Sequence, residues 1–105
     1  MGSLFNLMDM EIAQIILQQL GGRQFLAMTG AHTLLNVGNG LSFKLKSRSV
    51  NYVKILLNGL DTYDVTFAKI NTRTWTVTEV AQMDGIYADQ LRPIFTQVTG
   101  LDTRL

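Results

Sequence analysis

The chain contains no cysteine and only one proline, Pro93. Without cysteine, disulfide bridges and thiolate metal sites are excluded, which is compatible with the cytosol. The single proline and the lack of low-complexity tracts argue against long disordered segments. No apolar run approaches the ~18 residues of a membrane-spanning helix, and no secretion signal opens the chain. We therefore expect no membrane attachment.

Groups that carry chemistry are equally scarce. The only histidine is His32, and no acidic residue stands near it, so a catalytic Ser-His-Asp arrangement would have to form through the fold. Two acidic pairs stand close in sequence, and neither resembles a metal-binding loop: Asp61 with Asp64, and Asp9 with Glu11. We predict a protein that is not an enzyme, holds no metal or cofactor, and does not need His32 for its activity.

Apolar residues, by contrast, are plentiful. Hydrophobic residues make up 47% of the 105 positions and charged residues 16%. This composition provides enough apolar surface for one core, and the length suits one domain. We predict a single domain over residues 1–105.

The middle of the chain has the pattern of an antiparallel sheet. Apolar and polar residues alternate in the first of four extended runs, as in a half-buried strand. The links between runs are too short for parallel crossovers, so hairpins are expected, and Asn58-Gly59 is a tight-turn pair. The predicted strands are residues 41–47, 50–57, 62–70 and 74–80, with 24–28 as a fifth, edge strand.

Two segments have helical periodicity. Residues 6–20 carry an apolar stripe, with Asn6 as the predicted N-cap, and Gly21-Gly22 ends the helix. Residues 87–99 repeat the pattern, although Pro93 would kink a helix that did not begin near Asp89. The sequence thus predicts an α+β fold: a four- or five-stranded antiparallel meander with an N-terminal and a C-terminal helix packed on one face.

The two periodicities also predict the core and one irregular segment. Four sheet residues should be buried beneath four helix residues: Phe43, Ile55, Phe67 and Trp75 beneath Ile12, Ile16, Leu91 and Phe95. Residues 29–40 form the predicted loop, with Leu34, Leu35 and Val37 turned inward. Its glycines allow a phosphate cradle, but the loop matches neither a P-loop nor a dinucleotide-binding fingerprint.

Charge is concentrated in the predicted sheet. The formal net charge is +1, but residues 41–75 carry +4 while both ends are negative. On the face away from the core, alternation places one aromatic residue among four cations, which suits a nucleic-acid backbone or an acidic protein patch. These candidate partner-binding residues are Lys44, Lys46, Arg48, Tyr52 and Lys54. The alternative is an ordinary solvated sheet face, where lysine also discourages edge pairing.

Six stretches of the sequence carry a resemblance to known proteins. They are residues 16–22, 25–31, 41–45, 53–65, 85–91 and 98–101, which together span nearly the whole chain. These stretches resemble a family of small uncharacterised proteins from phages and other mobile elements. The family has no assigned chemistry, so the resemblance brings no catalytic residue. It implies an accessory protein in the cytoplasm of a bacterial host, where counter-defence inhibitors such as anti-CRISPR proteins are a prominent class.

We therefore predict a binding protein whose partner is a host defence protein or its nucleic-acid complex, such as an inhibitor that occludes a surface of a CRISPR nuclease. The chain is not acidic enough to mimic DNA. Two alternatives stay open: a nucleic-acid-binding accessory protein that touches DNA or RNA through the basic hairpin, and a small-molecule-binding module. Leu56, predicted on the outer face, also allows a homodimer.

Overall fold

The computed structural model describes the backbone of residues 4–103 and the side chains of residues 12–103. The predicted N-cap Asn6 has no described side chain. Two helices precede five strands, and a short 3₁₀ turn (Ala88–Gln90) leads into a last helix. The elements are α1 (Leu4–Leu20), α2 (Gly22–Thr29), β1 (His32–Asn36), β2 (Gly40–Lys44), β3 (Tyr52–Leu57), β4 (Tyr63–Asn71), β5 (Thr76–Ile86) and α3 (Leu91–Thr99).

The five strands form one antiparallel sheet in the order β1-β2-β3-β4-β5. Each strand pairs with the next along the chain, as the short connections predict. Opposite residues include Leu41 with Ile55 and Ile55 with Val65, which all point to one face. The helices pack on that face, so the predicted α+β meander is confirmed in its five-stranded form.

Four phenylalanines from α2, β2, β4 and α3 meet at the centre of the core. The Phe25 ring packs edge-on against Phe43 and Phe95, with centroids 5.4 and 5.2 Å apart. Phe67 lies 6.5 Å from Phe95. Edge-to-face aromatic pairs of this kind stabilise a core beyond their buried area. The core prediction is confirmed for most of its members, with Ile12 only partly buried and Trp75 wrong.

Trp75 is 80% exposed. It is the last residue of the turn between β4 and β5 and has a φ of 55°, in the left-handed region. The predicted strand 74–80 began two residues too early, because Thr74 and Trp75 belong to the turn and not to β5. The strand that does follow is longer than predicted and continues past Asp84-Gly85 to Ile86.

The predicted strand at residues 24–28 is wrong, because this segment is part of α2. Both α2 and α3 end in Thr-Gly. Thr29 Oγ1 donates to the Phe25 carbonyl at 2.7 Å, as Thr99 Oγ1 does to Phe95, and each following glycine is left-handed. This end is a common glycine C-cap. Eight residues are too few for helical periodicity to show clearly in the sequence.

The fifth strand is β1, within the segment predicted as a loop. Its pairing with β2 shifts between His32 and Leu35, and Thr33 has a φ of 52°. Period-two alternation is lost there, which explains why the sequence pattern missed it. Leu34 packs against the core as predicted, whereas Leu35 and Val37 are exposed.

Two predicted boundaries also change. The link between β3 and β4 is the five-residue loop 58–62, one residue longer than the predicted strand bounds imply. Asp61, with φ 59°, takes a left-handed position there in addition to the predicted Asn58-Gly59 turn pair. Asn58 organises this loop, accepting from the Leu60 N–H at 2.8 Å. The last helix begins at Leu91, so Pro93 lies in its first turn, where proline is tolerated.

Within residues 4–103, no helix is both long and apolar enough to cross a membrane.

Candidate functional site

One face of the sheet is left open by the helices. Its residues alternate with the core residues along β2, β3 and β4, and cross-strand pairing arranges them in rows. One row runs His32, Lys44, Tyr52, Ala68, Glu79, and the next runs Leu35, Ser42, Lys54, Thr66, Gln82. This outer face is the surface of the sheet that is available to a binding partner.

Lys44, Tyr52 and Lys54 lie together at the middle of the outer face, and we call them the basic face. Lys44 is directly opposite Tyr52 across β2 and β3, and Lys54 is the next residue of β3 on the same side. Directly opposite residues bring their Cβ atoms to about 5 Å. The two lysines therefore flank one tyrosine on adjacent strands.

The basic face combines one aromatic ring with two lysine side chains. Tyr52 and Lys54 are half-buried and Lys44 is exposed. A lysine can lay its aliphatic stem along a sheet and keep its ammonium group in water. Such a surface can bind phosphate or carboxylate groups through the ammonium groups and stack a planar ring on the tyrosine.

Lys46 and Arg48 lie outside this arrangement. Both are exposed in the loop 45–51 that joins β2 to β3. The prediction of four cations gathered around one aromatic ring is therefore too compact: the structure brings two lysines to the tyrosine and leaves two cations on the adjoining loop. The loop is tied to β4 by Lys69, whose Nζ donates to the Ser47 carbonyl at 3.5 Å.

A hollow of about 210 Å³ adjoins the basic face at Lys44. Three of its lining residues were not singled out as partner contacts from the sequence: His32, Asn51 and Thr72. His32 Nδ1 is 2.9 Å from Thr33 Oγ1, which holds the imidazole ring in place. The hollow is smaller than the ~300 Å³ of a typical small-molecule pocket, so it suits a single small polar group.

Asn51 fixes the shape of this region. Its side-chain amide donates to the Ile70 carbonyl at 2.9 Å and accepts from the Ile70 N–H at 2.7 Å, while its own N–H donates to Ala68. The side chain thus takes the place of a peptide group of β3 and continues the pairing with β4 beyond the point where the backbone turns away. Both lysine-bearing strands are held in register next to it.

Acidic residues lie at the borders of the outer face. Glu79 is next to Ala68 in the row of Tyr52, and Asp64 is opposite Leu56. On the same face, Thr66 Oγ1 donates to Gln82 at 2.6 Å, and Gln82 donates to Asp84 at 2.7 Å. On the outer face the strand lysines therefore lie on β2 and β3, and the acidic residues lie on β4 and β5. Lys69 of β4 alternates to the other face, and Arg73 lies in the β4–β5 turn.

The segment once considered as a phosphate cradle does not have that form. Residues 32–36 are paired as β1, and Gly40 begins β2 with no space for a side chain, because a Cβ there would lie 2.0 Å from the Ile55 carbonyl oxygen. Its glycine is explained by close strand packing. Among residues whose side chains are described, no three metal-ligating residues cluster.

Signals for the missed residues are weak in the sequence. His32 and Thr72 lie at the hollow only because β1 and the β4–β5 hairpin pair as they do. Asn51 directly precedes β3, where asparagine is uncommon within strands and common at their ends. The location of Asn51 just before β3 was therefore the one sequence signal for its structural role.

Comparison with family models, with curated proteins and with solved structures finds no match to this chain.

Proposed function

We propose that this protein acts by binding and not by catalysis, and that its partner is a nucleic acid contacted through the basic face. The observation that carries the proposal is the placement of Lys44 opposite Tyr52, with Lys54 beside them, on the sheet face opposite the buried core face. The surrounding segment, residues 41–75, holds six of the nine lysine and arginine residues of the chain.

The chemistry of the face favours a flexible single strand over a rigid duplex. A single strand can turn one base onto Tyr52 while its flanking phosphates reach the ammonium groups on either side, and such stacking stabilises binding without selecting a sequence. Lys46 and Arg48 lie on the adjoining loop, where they extend the positive track past the hollow at Lys44.

The family resemblance adds a setting to this proposal. In a counter-defence protein, the basic face would engage the guide RNA or the DNA held by a CRISPR nuclease and so occlude it. A net charge of +1 disfavours the alternative route of mimicking DNA with an acidic surface. This step is analogy from context, because a fold of this kind supports many functions.

The test is a charge reversal with a matched control. We expect Lys44→Glu/Lys54→Glu to bind labelled single-stranded DNA and RNA at least tenfold more weakly than the parent, measured by fluorescence anisotropy. The slope of log affinity against log salt should also shrink by about 1.4, or 0.7 for each lost phosphate contact. Arg23→Glu/Arg92→Glu changes the net charge equally on the helical side and should bind nearly as the parent does.

Equal loss in the two variants would show that only total charge matters, and unchanged binding of Lys44→Glu/Lys54→Glu would refute the site.

A second measurement tests whether the partner is a free nucleic acid or a host protein. The protein is used to capture partners from bacterial lysate with and without nuclease treatment. Capture that survives the treatment but depends on Lys44 and Lys54 indicates a protein partner that presents the acidic or nucleic-acid surface.

A further inference from the structure

The outer edge of β5 is open along eleven residues, Thr76–Ile86. The strand pairs with β4 on one side, and in the described part of the chain no other strand pairs with it. Among the described residues, no backbone–backbone hydrogen bond outside the regular elements involves Thr76–Ile86, and the Gly85 N–H donates to Asp64 Oδ1 at 3.4 Å. An unpaired edge of this length presents a row of free N–H and C=O groups to any extended chain.

The side chains along this edge are of the types that favour strand pairing. Residues 76–83 read Thr-Val-Thr-Glu-Val-Ala-Gln-Met: four of the eight are β-branched, none is proline or glycine, and Glu79 is the single charge. Val77 is 66% exposed and Val80 is 46% exposed, and Trp75 adjoins them in the turn. Charged residues and prolines, which usually protect a free edge, are nearly absent here. A bulge at Val80 limits the regular stretch to Thr76–Glu79.

We propose that a second copy of this chain pairs with β5, antiparallel, with Val77 next to the two-fold axis. In this register Val77 faces Val77 of the second copy, and Thr76 faces Thr78. Cross-strand pairs of β-branched residues and of threonines are favourable. In the same register Glu79 faces Trp75 of the second copy, two residues from Arg73 in the turn. This diagonal relation brings opposite charges near each other twice by symmetry.

A second copy fits this edge better than a foreign peptide does. The stretch is self-complementary in both shape and charge, and pairing of like edges consumes the open edge of each copy. Pairing of β5 with β1 would instead propagate into a filament, whereas pairing of β5 with β5 is isologous and closes on itself. The assembly therefore closes as a dimer with one ten-stranded sheet.

The first test is the oligomeric state of two matched variants, measured by sedimentation velocity over a range of concentrations. The parent should show a reversible monomer–dimer equilibrium. Val77→Lys should raise the dimer dissociation constant at least tenfold, while Leu35→Lys, at a similarly exposed position (54%) on the β1 edge, should leave it within twofold. A parent that stays monomeric at millimolar concentration, or a larger effect of Leu35→Lys, overturns the proposal.

Charge exchange tests the register. Arg73→Glu and Glu79→Arg should each weaken the dimer several-fold, and the double variant should restore it to near the parent value. No rescue would reject the Val77-centred register. The only tryptophan, Trp75, gives an independent readout: its emission should shift to shorter wavelength as the parent dimerises, and the shift should be missing in Val77→Lys. Far-ultraviolet circular dichroism verifies that each variant is folded.

Discussion

The two edges of the sheet are built in opposite ways. β1 is five residues long, its register breaks between His32 and Leu35, and it holds Leu34 against the core beneath α1. β5 is eleven residues long, mostly exposed, and carries large apolar side chains outward. A meander always leaves two edges open. Both edge strands have an irregular register here, and they differ in length and exposure, β5 being the longer and the more exposed. β-propensity alone does not distinguish them, because threonine and valine or leucine occur in both.

The largest expected effect comes from comparing a buried residue of β4 with an exposed residue of the turn that leads into β5. Phe67 of β4 is buried among the core phenylalanines, so Phe67→Ala should lower the free energy of unfolding by about 3–5 kcal/mol. Trp75→Ala, at the exposed start of the β5 side, should change it by about 0.5 kcal/mol or less. Urea denaturation measures both. A loss below ~1 kcal/mol for Phe67→Ala would mean that its packing is not as described.

On the β1 side of the sheet, the most disruptive substitution is expected at Gly40, the first residue of β2. A methyl group there meets the Ile55 carbonyl oxygen, which is backbone and cannot move aside, so β2 must separate from β3. We expect Gly40→Ala to cost about 3 kcal/mol, at the upper end for overpacking. Gly59→Ala is the matched control, because open space surrounds that glycine and its φ is not positive. If the two variants melted alike, the close approach of β2 to β3 would be disproved.

The far end of β5 is tied to the helices through Tyr63, which is opposite Ile86. Its hydroxyl donates to Gln19 Oε1 at 2.7 Å, and burial raises the pKa of Tyr63 above its usual 10.0, although the Gln19 hydrogen bond opposes the shift. Because the neutral form is favoured in the folded state, its contribution to stability is complete below pH 10 and declines as the pH rises through the folded-state pKa. Tyr63→Phe should lose about 0.5–1.5 kcal/mol at pH 7.

The pH dependence is measured by thermal melting of the parent and of Tyr63→Phe between pH 8 and 11.5. The parent should lose stability above pH 10 more steeply than Tyr63→Phe does. Equal slopes would assign the alkaline loss of stability to groups other than Tyr63.

The smallest effect is expected at His32 on the β1 edge. Its ring is exposed, and its Nδ1 lies 2.9 Å from Thr33 Oγ1. His32→Ala should change nucleic-acid affinity by less than about threefold and leave the melting temperature nearly unchanged. Complete loss of function with intact folding would contradict the non-enzymatic proposal.

The sequence predicted most of the sheet because β2, β3 and β4 are half-buried and follow period two. Phe43, Ile55 and Phe67 fall on the core face for that reason. It failed where a few residues leave the regular backbone: Thr33 interrupts β1, and Trp75 closes a turn with positive φ. Helix α2 was missed because Gly21-Gly22 suggested the end of helical structure and not a short break between two helices.

The candidate site was predictable only as far as alternation extends. Lys44, Tyr52 and Lys54 were placed on the outer face from their spacing, and the structure puts them there as neighbours. The predicted position of Lys46 required β2 to continue to residue 47, whereas it ends at Lys44. Arg48 was predicted at the hairpin tip, and it lies in the loop 45–51. The hollow beside His32 depends on which strands pair, and residue spacing within one strand does not contain that information.

The side-chain clamp of Asn51 has a consequence for local opening. Beyond Ala68, β4 is held to β3 by one amide side chain in place of a continuous ladder. The β4–β5 tip can therefore open as a separate unit, without unfolding of the sheet. In hydrogen exchange, the Ile70 amide should be protected to an intermediate degree, and Asn51→Ala should bring its exchange close to that of an unstructured amide while the Val65 and Phe67 amides stay protected.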